Sequence, residues 1–289
     1  MTPARILIIA GSDSGGGAGV QADIRTVTLL GGHGMTAITA ITAQNTLGVQ
    51  GVHPIPTDMV LQQMESVISD IGVDAVKIGM IGSAETAAAV ADRLAALDGV
   101  PIVFDPVMVA TSGSALADDA TIAAFERLMA IATLVTPNLP ELEALVGRSI
   151  QDEVAIQEAA EVLMSKTGSN AVLVKGGHLI LHGRTYGTSV DGMPFDYDNA
   201  KLVFDFLYEQ DSGGWREHGW FDLRIDTPHT HGTGCTLASA IATGLGQGWD
   251  LIDAIERARK YVREALTLAP GLGHGHGPMG SPFGFHAHA

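Results

Sequence analysis

The chain has a single cysteine, Cys235, in 289 residues. No internal disulfide can form, which fits a reducing compartment and sets the expectation of a cytoplasmic protein. Positive charge is scarce as well: 16 Lys and Arg stand against 32 Asp and Glu, a formal net charge of −16. So acidic a chain argues against nucleic acid or an anionic membrane as partner, since both need clustered cations. No run approaches the ~18 apolar residues that span a bilayer. The stretch Ile6 to Ala10 behind Arg5 is too short for a secretion signal and reads as a first strand. Gly-Lys-Ser/Thr is absent. Gly17-x-Gly19-x-x-Ala22 fits only a loose dinucleotide fingerprint, because the acidic residue ~20 positions on is missing. The second strand, near Thr36 to Ala43, ends instead in Gln44-Asn45.

What is present is an apolar chain, 46% hydrophobic, in which short buried runs alternate with amphipathic segments. Strands are predicted at Ala75 to Ile78, Ile102 to Phe104, Leu134-Val135 and Ala171 to Val174. Helices are predicted behind Val20, from Thr57 as cap, from Ser83 to Leu97, over Val154 to Lys166, and from Asp250 to about Leu268. This alternation means an α/β fold with a mostly parallel central sheet covered on both faces. One domain spans residues 1–270. Residues 180–222 break the rhythm and read as a hairpin or flap, with strands near Lys201 to Tyr208 and Trp220 to Ile225. The Gly- and His-rich tail, 271–289, reads as a mobile terminus, although His274-x-His276 and His286-x-His288 have the spacing of chelators.

The polar and glycine residues share one address. Gly11 to Gly19, Gln44, Gly79-Met80, Asp105, Asn138 and Lys175-Gly176-Gly177 each follow a strand, the side on which open parallel sheets bind ligands. Thr230-His231-Gly232-Thr233-Gly234-Cys235-Thr236 opens a small-residue helix. Its backbone N–H groups form an anion site without a basic side chain. Cys235 is either a small buried hydrophobe or, biased toward thiolate by the helix start, a proton acceptor. Asp105 and Glu141 are carboxylates suited to a hydrated Mg²⁺. Asn138, one turn from Glu141, addresses the same volume, and Lys175 can meet phosphate charge. An anion nest, a metal and a lysine together are the equipment of phosphoryl transfer.

These stretches, with Lys77-Ile-Gly-Met80, Thr136-Pro-Asn-x-x-Glu141 and Thr42-Ala-Gln-Asn-Thr-Leu-Gly-Val-Gln-Gly-Val-His53, resemble the ribokinase-like superfamily. Within it they resemble the hydroxymethylpyrimidine/phosphomethylpyrimidine kinases of thiamine biosynthesis. The resemblance implies a three-layer α/β/α fold and two ATP-dependent steps. The hydroxymethyl of 4-amino-5-hydroxymethyl-2-methylpyrimidine is phosphorylated first, and the monophosphate is then raised to the diphosphate. It implies substrate contacts from Gln44, Gly11, Asp23, Met80 and Val107. ATP contacts would come from Asn138, Lys175, Thr136 and Gly176, and the metal would sit on Asp105 and Glu141. Gly232, Thr233, Gly234 and Cys235 would form the anion hole, with Cys235 as base. The expected assembly is a homodimer. The chain departs from the family in a longer connection near Leu181 to Phe204, read as an enlarged flap or a subunit contact. Rival readings are a pyridoxal/pyridoxine-type vitamin kinase, a dinucleotide-dependent oxidoreductase, and a silent ligand-binding relative.

Overall fold

The computed structural model describes residues 2–109, 113, 116–176, 202–211 and 214–282. In chain order the elements are β1 (Arg5–Asp13), α1 (Gly19–Leu29), β2 (His33–Asn45), β3 (Gly48–Pro54), α2 (Thr57–Asp70), β4 (Ala75–Ile78) and α3 (Ala84–Leu94). They continue with β5 (Ile102–Phe104), α4 (Asp119–Ile131), β6 (Leu134–Val135), α5 (Leu139–Val146), α6 (Glu153–Thr167) and β7 (Ala171–Lys175). The last are β8 (Leu202–Asp211), β9 (Gly214–Leu223), α7 (Thr233–Gly246) and α8 (Leu251–Thr267). Nine strands form one sheet in the order β3-β2-β1-β4-β5-β6-β7-β8-β9. From β2 to β7 the pairs are parallel. Antiparallel β3 closes one side, and the β8–β9 hairpin extends the other.

The alternation of side chains along each strand divides the core in two. Leu7, Ile9, Val76, Ile78, Phe104 and Val174 point to the face covered by α2 to α6. Ile6, Ile8, Ala10, Ala75, Val103 and Leu173 meet α1, α7 and α8. Because both faces are buried, the inner strands are largely apolar, as expected of parallel strands between two helical layers, with Lys77 of β4 a buried exception. The result is the three-layer α/β/α arrangement.

Several boundaries differ from the sequence reading. β1 runs past Gly11 to Asp13, with a register shift between Ala10 and Ser12 that carries the strand into the glycine loop. Thr57 is the first residue of α2 rather than its cap. Its hydroxyl pairs with Thr86 of α3. β8 and β9 pair antiparallel as a hairpin that belongs to the sheet. Arg259 of α8 anchors it through Asp205 and Asp222, each at 2.7 Å. The remainder of the expected flap lies outside the described residues. The tail is not loose over its first part. His276 N–H donates to Thr46 O, Gly280 N–H to Ala265 O, and His231 N–H to Gly277 O. Gly273 and Gly275 lie so close to Thr46 that a Cβ on either would overlap it. Main-chain packing of this kind leaves no trace in a side-chain pattern; residues 283–289 and the His286-x-His288 pair lie outside the described residues. No helix among the described residues is long and apolar enough to cross a membrane.

Candidate active site

The residues that follow β1, β2, β4, β5 and β6, with Lys175 at the end of β7, gather at the C-terminal edge of the parallel strands, and the start of α7 lies across them. Gly232, the N-cap of α7, has φ of 86°, and a Cβ there would lie 2.0 Å from Gly17 O. Only glycine permits both the left-handed turn and this contact. Two residues on, a Cβ at Gly234 would sit 3.3 Å from both Asp105 Oδ2 and Lys175 Nζ. The anion loop therefore rests directly on the charged pair that follows β5 and β7.

Lys175 Nζ donates to Asp105 Oδ1 at 2.7 Å and lies 3.9 Å from Glu141 Oε2. Asn138 and Glu141 form a reciprocal capping box at the start of α5. Asn138 Oδ1 accepts from Glu141 N–H and Glu141 Oε2 accepts from Asn138 N–H. The turn fixes both residues before any ligand arrives. Burial pushes the Glu141 carboxyl up to about 7; Asp105 adds to this, while Lys175 and the N–H groups of Asn138 and Met108 oppose it. Two carboxylates share one ammonium here, so the cluster has a negative surplus. Among the described residues no group of three or more His, Cys, Asp or Glu could hold a metal. Two protein carboxylates suit Mg²⁺, which keeps several waters and takes its other oxygens from substrate phosphates.

Three of the expected contact residues are placed differently. Thr136 is fully buried, and its hydroxyl donates to Asp105 Oδ1 at 3.1 Å, so it orients that carboxylate rather than facing a ligand. Gly176 N–H donates to Phe204 O at 2.6 Å, and a Cβ there would strike the same carbonyl. Its glycine is explained by the closeness of β8, and its N–H is already committed. Asp23 is sealed in the interior. Its Oδ2 accepts from Lys77 Nζ at 2.8 Å and its Oδ1 from Ser239 Oγ at 2.7 Å. Lys77 is equally sealed. Burial acts to discharge it, but the Asp23, Cys235 and Asp105 groups outweigh burial and hold it protonated.

Cys235 is partly exposed. Its sulfur accepts from Gly19 N–H, so the start of α1 faces it together with the start of α7. The thiolate bias expected from the helix start is nevertheless reversed. Burial pushes the thiol up to about 11, Asp23 and Asp105 push the same way, and Lys77 and Gly19 only partly oppose them. The resting group is a neutral thiol.

Of the residues expected to contact substrate, Gly11 and Met80 are neighbours. A Cβ on Gly11 would lie 3.2 Å from Met80 Sδ, so the two share one wall. Val107 follows Asp105 and is half-buried. Gln44, at the end of β2, reaches His231 of the anion loop, with Nε2 to Nε2 at 3.1 Å. The sequence reading missed Asp13 and His231. Asp13 accepts from the N–H groups of Gly15, Gly17 and Ala18 and from His231 at 2.9 Å. An Asp two residues before a glycine is an Asx-turn signal that was available. The partnership with His231 is 218 residues away in sequence, and no local pattern announces it.

An anion loop resting on a lysine and two carboxylates, beside a half-open wall of small and apolar residues, defines a small-molecule phosphotransferase of the ribokinase-like fold. A family model described as phosphomethylpyrimidine kinase matches residues 13–280. The thiamine biosynthesis bifunctional protein of Geobacter sulfurreducens is 48% identical over 95% of the chain, and the chain spans about half (51%) of that protein. The hydroxymethylpyrimidine/phosphomethylpyrimidine kinase of Streptomyces coelicolor is 44% identical, over 96% of this chain and 94% of its own. The structure of pyridoxal kinase from Staphylococcus aureus in complex with AMP-PCP and pyridoxal superposes with a TM-score of 0.81 at 28% identity, covering 98% of this chain and 95% of that one. The chain belongs to the phosphomethylpyrimidine kinase family.

Proposed function

We propose that the protein phosphorylates the hydroxymethyl group of 4-amino-5-hydroxymethyl-2-methylpyrimidine with ATP and then phosphorylates the monophosphate. The observation that carries this reading is the contact of the Gly234 backbone with the Asp105–Lys175 pair, at the edge where Gln44 meets the same loop. The N–H groups of Gly232 and Gly234 hold the transferred phosphoryl group, Thr233, whose N–H donates to Thr230 O, shapes the turn between them, and Lys175 neutralises the phosphoryl charge. Asp105 and Glu141 would hold Mg²⁺, which when bound would supply charge neutralisation for the phosphates. Asn138 keeps the Glu141 carboxylate in place. Gln44 pairs its amide with the ring nitrogen and exocyclic amine of the pyrimidine, against Gly11, Met80 and Val107. Asp23, being interior, supports the site through Lys77.

In the first step the hydroxyl oxygen bonds to the γ-phosphorus, the bond to the β-phosphate oxygen breaks, and ADP leaves. Cys235 takes the hydroxyl proton in its thiolate form, a minor species at neutral pH because its thiol titrates near 11. In the second step the acceptor is already an anion and needs no base. Cys235→Ala is expected to slow the first single-turnover rate by about 10²-fold or more, and the second far less. The first rate should also climb with pH through the neutral range in the parent enzyme and not in the variant. Equal losses in both steps would leave Cys235 a structural role only.

The likeness to a pyridoxal kinase supports pyridoxine-class alcohols as a second substrate class, tested by comparing kcat/KM for the two alcohols. A homodimer is supported by the exposed apolar side chains Ile41, Leu47 and Val52 around the β2–β3 turn, and sedimentation of the purified protein tests it. A lone free cysteine supports a cytoplasmic location.

A further inference from the structure

Gln44 is fixed at its backbone by a reciprocal pair, Ser14 Oγ donating to Gln44 O and Gln44 N–H donating to Ser14 Oγ. Its terminal amide lies between two partners. One end is 3.1 Å from His231 Nε2, and the other is 3.1 Å from Thr42 Oγ1, which also reaches Ser12 O at 3.0 Å. Hydrogens decide which end is oxygen, because a half-turn of the amide exchanges its two ends and leaves every other atom in place.

The count starts at Asp13. Oδ2 takes N–H groups from Gly17 and Ala18 and lies 2.9 Å from His231 Nε2, while Oδ1 takes Gly15 N–H. A carboxylate receiving three backbone donors is ionised and donates nothing, so the His231 contact requires a hydrogen on Nε2. Burial opposes the Asp13 charge, yet His231 and the N–H groups of Ala18 and Gly15 hold its carboxyl below the ordinary range. A protonated Nε2 cannot accept from an amide N–H, so an amide nitrogen facing it is a clash of two donors. With the oxygen there instead, Nε2–H is shared between Asp13 and Gln44. The amide nitrogen then donates to Thr42 Oγ1, whose one hydrogen remains for Ser12 O. Each of these contacts then pairs one donor with one acceptor, and the second amide hydrogen is left for a ligand. The Cδ2 edge of the imidazole abuts Gly17, where a Cβ would be 2.4 Å from it, so the ring is hemmed in on that side.

We infer that the Asp13–His231 pair locks the Gln44 amide with Oε1 toward His231 and Nε2 toward Thr42. It thereby fixes the order in which one acceptor and one donor face the substrate ring, making His231 a specificity-determining positioning residue. The inference rests on the reading of Gln44 as the group that pairs with the aminopyrimidine. A ring presenting its acceptor and donor in the matching order gains both hydrogen bonds, whereas one presenting them reversed meets donor against donor.

A double-substitution cycle tests this, with KM and kcat measured for the aminopyrimidine alcohol and for pyridoxine. His231→Leu removes the donor and is expected to raise KM for the aminopyrimidine by about tenfold, one buried hydrogen bond. Its kcat should change much less, and its preference over pyridoxine should fall. His231→Gln carries a donor at the same reach and restores most of the loss. Thr42→Val, at the far end of the amide, shifts KM in the same direction and does so without touching the anion loop. In a Gln44→Ala background, His231→Leu has little further effect on KM, since the two act as one unit. An undiminished His231→Leu effect in that background overturns the inference alone, as does a loss confined to kcat. A Gln44→Ala enzyme with unchanged KM removes the reading of Gln44 and the inference with it.

Discussion

Two lysines at the C-terminal ends of parallel strands, Lys77 of β4 and Lys175 of β7, have opposite fates in this molecule. Both donate to an aspartate, at 2.8 and 2.7 Å. Lys77 and Asp23 are both sealed at 0% exposure and balance one to one, with Ser239 taking the second oxygen. Lys175 keeps 15% of its side chain exposed and faces two carboxylates, Asp105 and Glu141. The first pair is complete in itself. The second has a surplus of negative charge and an opening, so it is finished only by what binds. An ion pair reads as structure or as chemistry according to its charge balance and access to solvent, not according to residue type or strand position.

The sharpest way to break this comparison is to replace each lysine with methionine. Lys77→Met strands the Asp23 carboxylate in the core and is expected to cost about 3–5 kcal/mol of stability, measured from the urea midpoint. Lys175→Met leaves Asp105 and Glu141 without their shared ammonium, so it should lower that midpoint by less than Lys77→Met, because the cluster opens to solvent, and should lower kcat by about 10²–10³-fold, measured by coupled ADP release. Swapped outcomes would overturn the assignment of roles. A smaller effect sharpens it: Lys77→Met combined with Asp23→Leu should recover most of the single variant's lost stability, because a buried pair replaced as a whole is often near neutral. Failure to recover would mean that Lys77 is needed for more than its partner.

The smallest effect concerns Glu141. Its folded carboxyl titrates at about 7 against an ordinary 4.5, so the native state holds this proton more tightly than the unfolded chain. Its contribution favours folding at low pH and is lost as pH rises from about 4.5 to about 7. Glu141→Gln keeps an oxygen for the Asn138 N–H. It should therefore raise the melting temperature of the ligand-free protein at pH 8 by the equivalent of about 1–2 kcal/mol and leave it nearly unchanged at pH 5. A gain of the same size at both pH values would contradict the surplus-charge account.

Much of this arrangement was legible in the chain. The apolar runs Ile6 to Ala10, Ala75 to Ile78 and Ala171 to Val174 mark buried strands, and the residues that end them mark the ligand edge. Gly232 and Gly234 announce a tight approach, and that is what they make. What escaped was long-range. β3 carries exposed residues along nearly its whole length, so no periodic burial signals it. The β8–β9 hairpin reads as a flap until its pairing with β7 is seen. Lys77 sits in an apolar run with nothing nearby to reveal Asp23, 54 residues away. The Cys235 thiol misled for a related reason: a helix start acts locally, whereas the burial that dominates it is assembled by distant segments.

The segment after α8 has a consequence for the order of manufacture. Its backbone fastens the turn before α7, through Gly277, to the β2–β3 bend, through His276 and Thr46. A ribosome releases those fasteners after every other part of the pocket. The sheet can assemble while the chain is still growing, before the residues that tie this turn to the β2–β3 bend have been made.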